Sequence, residues 1–181
     1  YGVPKISTGD LLRRAVRDRT PLGIRAEEMM NRGELVADDI VNGLVRERIA
    51  SPDARKGYVL DGFPRDLAQA LCLESMDGGR PEVVIEIDVD RETLVERMQG
   101  RLTCRKCGAV TNLSLRKPRT EGRCDICGGE LYRRDDDRPE VISERLRVYR
   151  EKTEKLKAHY QVKGVFRRVD GAGTVDEVFD R

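Results

Sequence analysis

Four cysteines in two tight pairs, Cys104-Arg-Lys-Cys107 and Cys124-Asp-Ile-Cys127 with sixteen residues between the pairs, constrain this chain more than any other feature. A two-residue gap lets both thiolates of a pair face one tetrahedral ion, and this spacing reads as a zinc site. Gly108 and Gly128 follow the pairs, so the backbone can turn back and offer N–H groups to sulfur. Two disulfides or four unrelated thiols are the competing readings, the first weakened by the lack of a visible secretory leader. Four sulfur ligands leave zinc no open position, so the metal is expected to be structural and the chemistry to lie elsewhere. The flanking residues agree: 100–137 hold few large apolar side chains and many turn formers. A segment of that kind cannot bury a core of its own, and metal binding substitutes for one. We therefore expect a metal-stapled flap at 100–137, inserted into a larger domain. The fifth cysteine, Cys72, sits in an apolar helical pattern with Ala68 and Leu71 and reads as a packed thiol.

Outside the flap, short β-rich runs alternate with helical patterns. Lys5–Ser7, Gly57–Asp61, Val83–Asp88 and Val165–Val169 read as strands. Helical spacing marks the stretch around Leu11–Val16 with Thr8 or Asp10 as cap, the stretch opened by Pro21, and 38–49, 66–76 and 92–99. Pro139 starts a helix expected to run to about Tyr160. Such alternation predicts an α/β fold with a mostly parallel sheet flanked by helices. The chain is long enough, at 181 residues, for one domain, 1–99 with 138–181, carrying the flap. Charges nearly balance at net +2 and aromatics are 4%, which disfavours a basic, base-stacking nucleic-acid binder. No apolar run is long enough to span a membrane. A reducing cytoplasm is expected.

Asp61-Gly-Phe-Pro-Arg65 closes one predicted strand, where parallel sheets gather ligands. Asp61 there can hold hydrated magnesium or simply cap a helix; the residues alone leave both open. Gly62 permits close approach of a ligand, and Pro64 aims Arg65. Arg13, Arg97, Arg101, Arg134 and Arg145 also lie near element boundaries or beside the flap. Each one alone reads as a surface arginine. Together they suit phosphoryl transfer, which needs positioning and spread-out positive charge.

These motifs, in order, resemble the adenylate kinase family: Tyr1-Gly-Val-Pro-Lys-Ile-Ser-Thr-Gly-Asp-Leu-Leu-Arg13, Gly33-Glu-Leu-Val36, Asp61-Gly-Phe-Pro-Arg65 with Gln69, Gly100-Arg101, and Arg134-Asp-Asp-Asp137 followed by Arg145. The four-cysteine flap resembles the long zinc-type lid of bacterial members. The resemblance implies a nucleoside monophosphate kinase fold and the reaction ATP + AMP = 2 ADP with Mg. Thr8, Arg13, the backbone at Leu35 and Val36, Gly62, Arg65 and Gln69 would bind AMP, Gln69 reading the adenine edge. Arg97, Arg101, Val110, Thr111 and the backbone near Gly173 would bind ATP, with Arg97 against adenine. Arg134 and Arg145 would bridge the phosphates, Asp61 would hold magnesium's water shell, and Asp136 and Asp137 would order the lid arginines. Cys104, Cys107, Cys124 and Cys127 would hold zinc. Residues 7–36 would form a mobile AMP arm and 100–137 the ATP lid, in a monomer acting on ATP, AMP and ADP without nucleic-acid or membrane partners.

Departures accompany the resemblance. The family's Gly-x-x-x-x-Gly-Lys-[Ser/Thr] phosphate loop does not occur in these residues, which contain no Gly-Lys dipeptide. Tyr1 matches a position beyond that loop, and the last residues break off within a helical pattern, so both ends are expected to be cut. On its own the chain is expected to show little or no activity. Leu102 replaces a common arginine, and Thr111-Asn112 an aromatic-polar pair. Two other readings fit the residues less well. A zinc-ribbon nucleic-acid module has little positive field once tetrathiolate zinc offsets nine Lys/Arg against six Asp/Glu in the flap. A kinase for UMP, CMP or GMP fits Thr8, Gln69 and the long lid less well than one for AMP.

Overall fold

The computed structural model describes residues 2–32, 34–78 and 82–181, so Tyr1 and Gly33 of the quoted motifs lie outside the described residues. The chain forms two compact units, residues 1–82 with 144–165 and residues 83–143 with 166–181. The architecture is mixed α/β with parallel strand pairing, as expected.

The first unit pairs β1 (Lys5–Ser7) in parallel with β2 (Val59–Asp61), in the register Ser7 opposite Asp61. The helix α1 (Thr8–Arg17) follows β1 directly. Ser7, not Thr8 or Asp10, is its N-cap, accepting from the Asp10 amide; Thr8 is thereby freed for a contact described below. Thr20 starts α2 (Pro21–Arg32), its hydroxyl taking the Gly23 amide at 3.0 Å. Next come α3 (Asp38–Ile49) and α4 (Leu67–Asp77), the latter capped by Asp66 on the Gln69 amide at 2.9 Å. Leu12, Ala26, Val36, Ile40, Val41, Val45, Phe63 and Leu73 form the buried core between these helices and the loop after β2. Gly23 is the tight point: a Cβ there would stand 2.0 Å from the Ala15 carbonyl oxygen.

The helix expected from Pro139 to about Tyr160 is broken. It runs as α6 (Pro139–Val148), a π-helical turn (Tyr149–Thr153) and α7 (Leu156–Val162). The Glu154 amide reaches five residues back to the Tyr149 carbonyl at 2.9 Å, so one turn is wider than α-helical. No Pro or Gly marks the break in sequence.

The second unit pairs β3 (Val84–Asp88) in parallel with β7 (Phe166–Asp170), with α5 (Arg91–Gln99) after β3 and the short α8 (Val175–Phe179) after β7. Asp90 caps α5 through the Thr93 amide, and Thr174 with Glu177 forms a reciprocal capping box on α8. Between α5 and α6 lies a three-stranded antiparallel sheet that the sequence reading did not anticipate. Its strand order is β5 (Val110–Asn112), β4 (Arg101–Cys104), β6 (Leu131–Tyr132). Its buried cluster is Cys104, Cys124 and Leu131, two of the three being thiols. Among the described residues no helix is long and apolar enough to cross a membrane.

Candidate functional site

The Asp61–Arg65 loop is held by several hydrogen bonds within the first unit. Gly62 adopts φ +76°, a left-handed conformation that favours glycine, and a Cβ there would meet the Arg65 guanidinium at 3.1 Å and the Thr8 hydroxyl at 3.3 Å. The Gly62 carbonyl accepts from Thr8 Oγ1 at 2.9 Å and from Arg65 Nε at 2.8 Å. The Phe63–Pro64 peptide is cis, and Phe63 is buried in the core. Thr8, Gly62 and Arg65, 57 positions apart at the extremes, are thus one hydrogen-bonded group. Asp61 is exposed at the strand end and pairs with Lys5 Nζ at 2.8 Å.

Gln69 is almost fully buried, at 1% exposure. Its Oε1 accepts from the Arg65 amide at 2.8 Å, and its Nε2 donates to Asp38 at 2.7 Å. Each amide atom has one further hydrogen-bonding position, a lone pair on Oε1 and a hydrogen on Nε2. Arg13 lies on α1 with its guanidinium on Asp10 at 2.6 Å. Val36 is buried and Leu35 half-buried just before α3. Arg145 is half-buried in the last turn of α6.

In the second unit, Arg97 and Gly173 are brought together. The Arg97 guanidinium donates to the carbonyls of Gly171 and Gly173, both at 3.0 Å, across 74 and 76 positions of sequence. Asn112 holds the Arg97 carbonyl at 2.7 Å, tying α5 to β5. Arg101 forms a two-pronged pair with Asp137, whose carboxylate is fully buried. Burial is the largest single influence on Arg101 and pulls its pKa down. Hydrogen bonding and charge from Asp137, with the charge of Asp136, outweigh it and leave the guanidinium more basic than usual. Arg134 is buried, its Nε donating to Thr103 Oγ1 at 2.7 Å, so it rests on the same strand that carries Arg101. Asp136 is half-buried in the 3-10 turn Asp135–Asp137. Val110 is exposed and Thr111 half-buried on β5.

The four thiols converge as their spacing predicts. Cys104 and Cys127 Sγ stand 3.5 Å apart, Cys107 and Cys124 Sγ 3.7 Å, and all four lie within 4.8 Å of one another. Sulfurs at about 2.3 Å around a tetrahedral zinc have edges of about 3.8 Å, so the donor set fits that ion. All are free thiols rather than disulfides. Each pair is a matching knuckle: the Gly108 amide donates to the Cys104 carbonyl at 3.0 Å and the Gly128 amide to that of Cys124 at 2.8 Å. Both glycines have positive φ. Backbone amides of Cys107, foremost, and Lys106 hold the Cys104 thiol down at about 6. At Cys107 the Ala109 amide lowers the pKa, but the neighbouring sulfurs, Cys127 first, push it up to about 12. Four sulfurs at these separations form a donor set that a divalent cation such as zinc would complete, taking them as thiolates.

Sequence reasoning missed Asp38, Lys5, Thr103 and Thr153, which partner Gln69, Asp61, Arg134 and Arg65. The parallel register offered a hint for Lys5 alone, since it shares a strand that ends opposite Asp61.

Comparison with known proteins shows the family. The sequence model of the adenylate kinase family matches residues 1–165. An adenylate kinase of Syntrophobacter fumaroxidans is 48% identical over 184 positions, covering 100% of this chain and 86% of its own length. One of Archaeoglobus fulgidus is 48% identical over 182 positions, covering 99% and 84%. One of Enterococcus faecalis is 44% identical, covering 99% and 85%.

Proposed function

The chain belongs to the adenylate kinase family, a family of nucleoside monophosphate kinases, and from that premise we propose how its own residues divide the reaction ATP + AMP = 2 ADP. The observation that carries the reading is the Gly62 carbonyl, which gathers Thr8 and Arg65 into one rigid group beside buried Gln69. AMP binds there. Arg65 and Arg13 grip its phosphate, Thr8 and the backbone of Leu35, Val36 and Gly62 border the nucleoside, and Gln69 reads the adenine edge with its two unused hydrogen-bonding positions. ATP is held by Arg97 with the Gly173 backbone at the base, and by Arg101, Val110 and Thr111.

An AMP phosphate oxygen attacks the terminal phosphorus of ATP in line, and the bond to the bridging oxygen of ADP breaks. Little covalent help is needed, so the protein supplies orientation and positive charge. Arg134 and Arg145 supply charge at the transferred group, their forks matching phosphoryl oxygens. Asp136 and Asp137 order the lid arginines, and Arg101 is accordingly locked onto Asp137. Magnesium, which accompanies ATP in this family, neutralises phosphate charge when bound, and Asp61 would hold its water shell. Zinc would be structural: the four-thiol cluster stands in for the core that residues 100–137 lack. Residues 7–36 act as the AMP arm and 100–137 as the ATP lid of a cytoplasmic monomer.

The test is ADP formation by the full-length protein in a coupled assay at fixed ATP, comparing AMP, UMP, CMP and GMP as acceptors. AMP is expected to be preferred by at least about tenfold, the discrimination that hydrogen bonds to a base edge supply. Arg65→Ala is expected to raise KM for AMP by about tenfold or more. A clear preference for UMP, or an unchanged KM for AMP in Arg65→Ala, refutes the assignment.

A further inference from the structure

The π-helical turn carries a contact that the reaction scheme above does not use. Thr153, its last residue, donates its hydroxyl to the Arg65 carbonyl at 2.7 Å, across 88 positions of sequence and within the same compact unit. Arg65 is therefore held at three points. Its amide is bound by Gln69 Oε1 at 2.8 Å, its Nε by the Gly62 carbonyl at 2.8 Å, and its carbonyl by Thr153. Gln69 and Thr153 pin the two peptide planes on either side of the arginine Cα, and those planes set where the side chain starts. Thr153 acts through its hydroxyl, which reaches the Arg65 carbonyl.

The geometry of the turn produces this contact. The Glu154 amide bonds the carbonyl five residues back, a widened turn that marks functional positions more often than chance. The same helical run carries Arg145 eight residues before Thr153. One hydrogen bond thus joins the element bearing Arg145 to the loop bearing Arg65.

We propose that Thr153 is a positioning residue for phosphoryl transfer: it fixes the backbone of Arg65 and registers that loop against the helix of Arg145. The inference rests on the assignment of Arg65 to the AMP phosphate. It predicts a selective defect, since a loosened Arg65 weakens the grip on AMP and leaves the ATP residues untouched.

The experiment uses the full-length enzyme with Thr153→Val, Thr153→Ser and Arg65→Ala, measuring initial rates against AMP and against ATP together with thermal unfolding. Thr153→Val keeps the shape and removes the hydroxyl. Its KM for AMP is expected to rise about five- to tenfold, the factor that loss of one hydrogen bond brings. Its kcat is expected to fall, and its KM for ATP to stay within about twofold of wild type, a change too small for a lost hydrogen bond. Thr153→Ser, which keeps the hydroxyl, should restore both parameters. An unchanged KM for AMP in Thr153→Val overturns the proposal. So does a parallel rise in both KM values with a lowered unfolding midpoint, which marks a merely structural role, and so does failure of Thr153→Ser to rescue. Arg65→Ala separates the two levels. If it raises KM for AMP while Thr153→Val does not, only the positioning role falls; if it leaves that KM unchanged, the assignment of Arg65 falls and takes Thr153 with it.

Discussion

Replacing Gly23 with alanine should destabilise this protein, although the same change in an exposed helix interior ordinarily stabilises. Alanine gains about 1 kcal/mol over glycine from helix propensity. At Gly23 that gain meets a wall, because the new Cβ would lie 2.0 Å from the Ala15 carbonyl oxygen and 2.6 Å from the Val16 amide nitrogen. Ordinary contact needs at least about 3 Å, so α2 must retreat from α1 by about 1 Å. The Ala15 carbonyl cannot swing aside freely, for it accepts from the Thr20 amide at 3.1 Å and the Thr20 hydroxyl at 3.2 Å. Overpacking of this kind costs about 1–3 kcal/mol, and a backbone clash belongs at the upper end. The net expectation for Gly23→Ala is about 2 kcal/mol of destabilisation, lowering the unfolding midpoint by about 4–8 °C for a protein of this size. Gly43 supplies the control. It is exposed on α3, and a Cβ there meets nothing within 4 Å. Gly43→Ala should therefore raise the midpoint by about 2–4 °C. Thermal unfolding followed by circular dichroism reads both, and KM for AMP should rise in Gly23→Ala alone, since α1 carries Arg13. A Gly23→Ala protein as stable as Gly43→Ala would refute the close-packing argument for α1 and α2.

Two further outcomes are expected. Stripping metal with a chelator, or Cys124→Ser, should speed amide exchange across β4, β5 and β6 and lower the unfolding midpoint, because that sheet buries little besides its thiols; phosphoryl transfer in the folded full-length protein should be reduced rather than abolished, and undisturbed exchange there would count against a metal clip. The second concerns pH. Lys163 first, then His159, holds Glu74 below its usual range. A depressed carboxylate contributes stability that is present above its unfolded value, near 4.5, and lost as pH falls through its lower folded value. Lys163→Met should therefore flatten the acid limb of the stability profile below about pH 4.5, and an unaltered limb on acid titration of the variant would show that the Glu74 pair does not contribute.

Much of the site was legible in the chain because the chemistry requires particular residues at short spacings. A metal knuckle needs two thiols separated by two residues, with a glycine able to take positive φ, and both pairs display this locally. The Asp61–Arg65 loop needs a glycine at φ +76° and a proline at fixed distances from its arginine, which is again a local pattern. Alternating β-rich and helical stretches predicted the α/β class for the same reason, since periodicity is a property of neighbours. The small sheet of the flap escaped notice because its short strands lie among thiols, charges and turn formers rather than in a β-rich apolar run.

What the sequence by itself determined is the family of chemistry: which arginines, which thiols and which loop are available. The tertiary structure decided how those groups are held. Asp137 faces Arg101 across 36 positions, Asp38 faces Gln69 across 31, and Thr153 reaches Arg65 across 88. Asp137 lies in the Arg134–Asp137 motif, which implied a role on the lid arginines but not which one it would hold; Asp38 and Thr153 belong to no such motif, because a hydrogen bond between distant segments depends on where packing places two backbones. The π-helical turn shows the same limit within one helix. Its residues, Tyr149–Thr153, contain no breaker, and the wider turn is stabilised where Thr153 meets a carbonyl that only the folded chain presents.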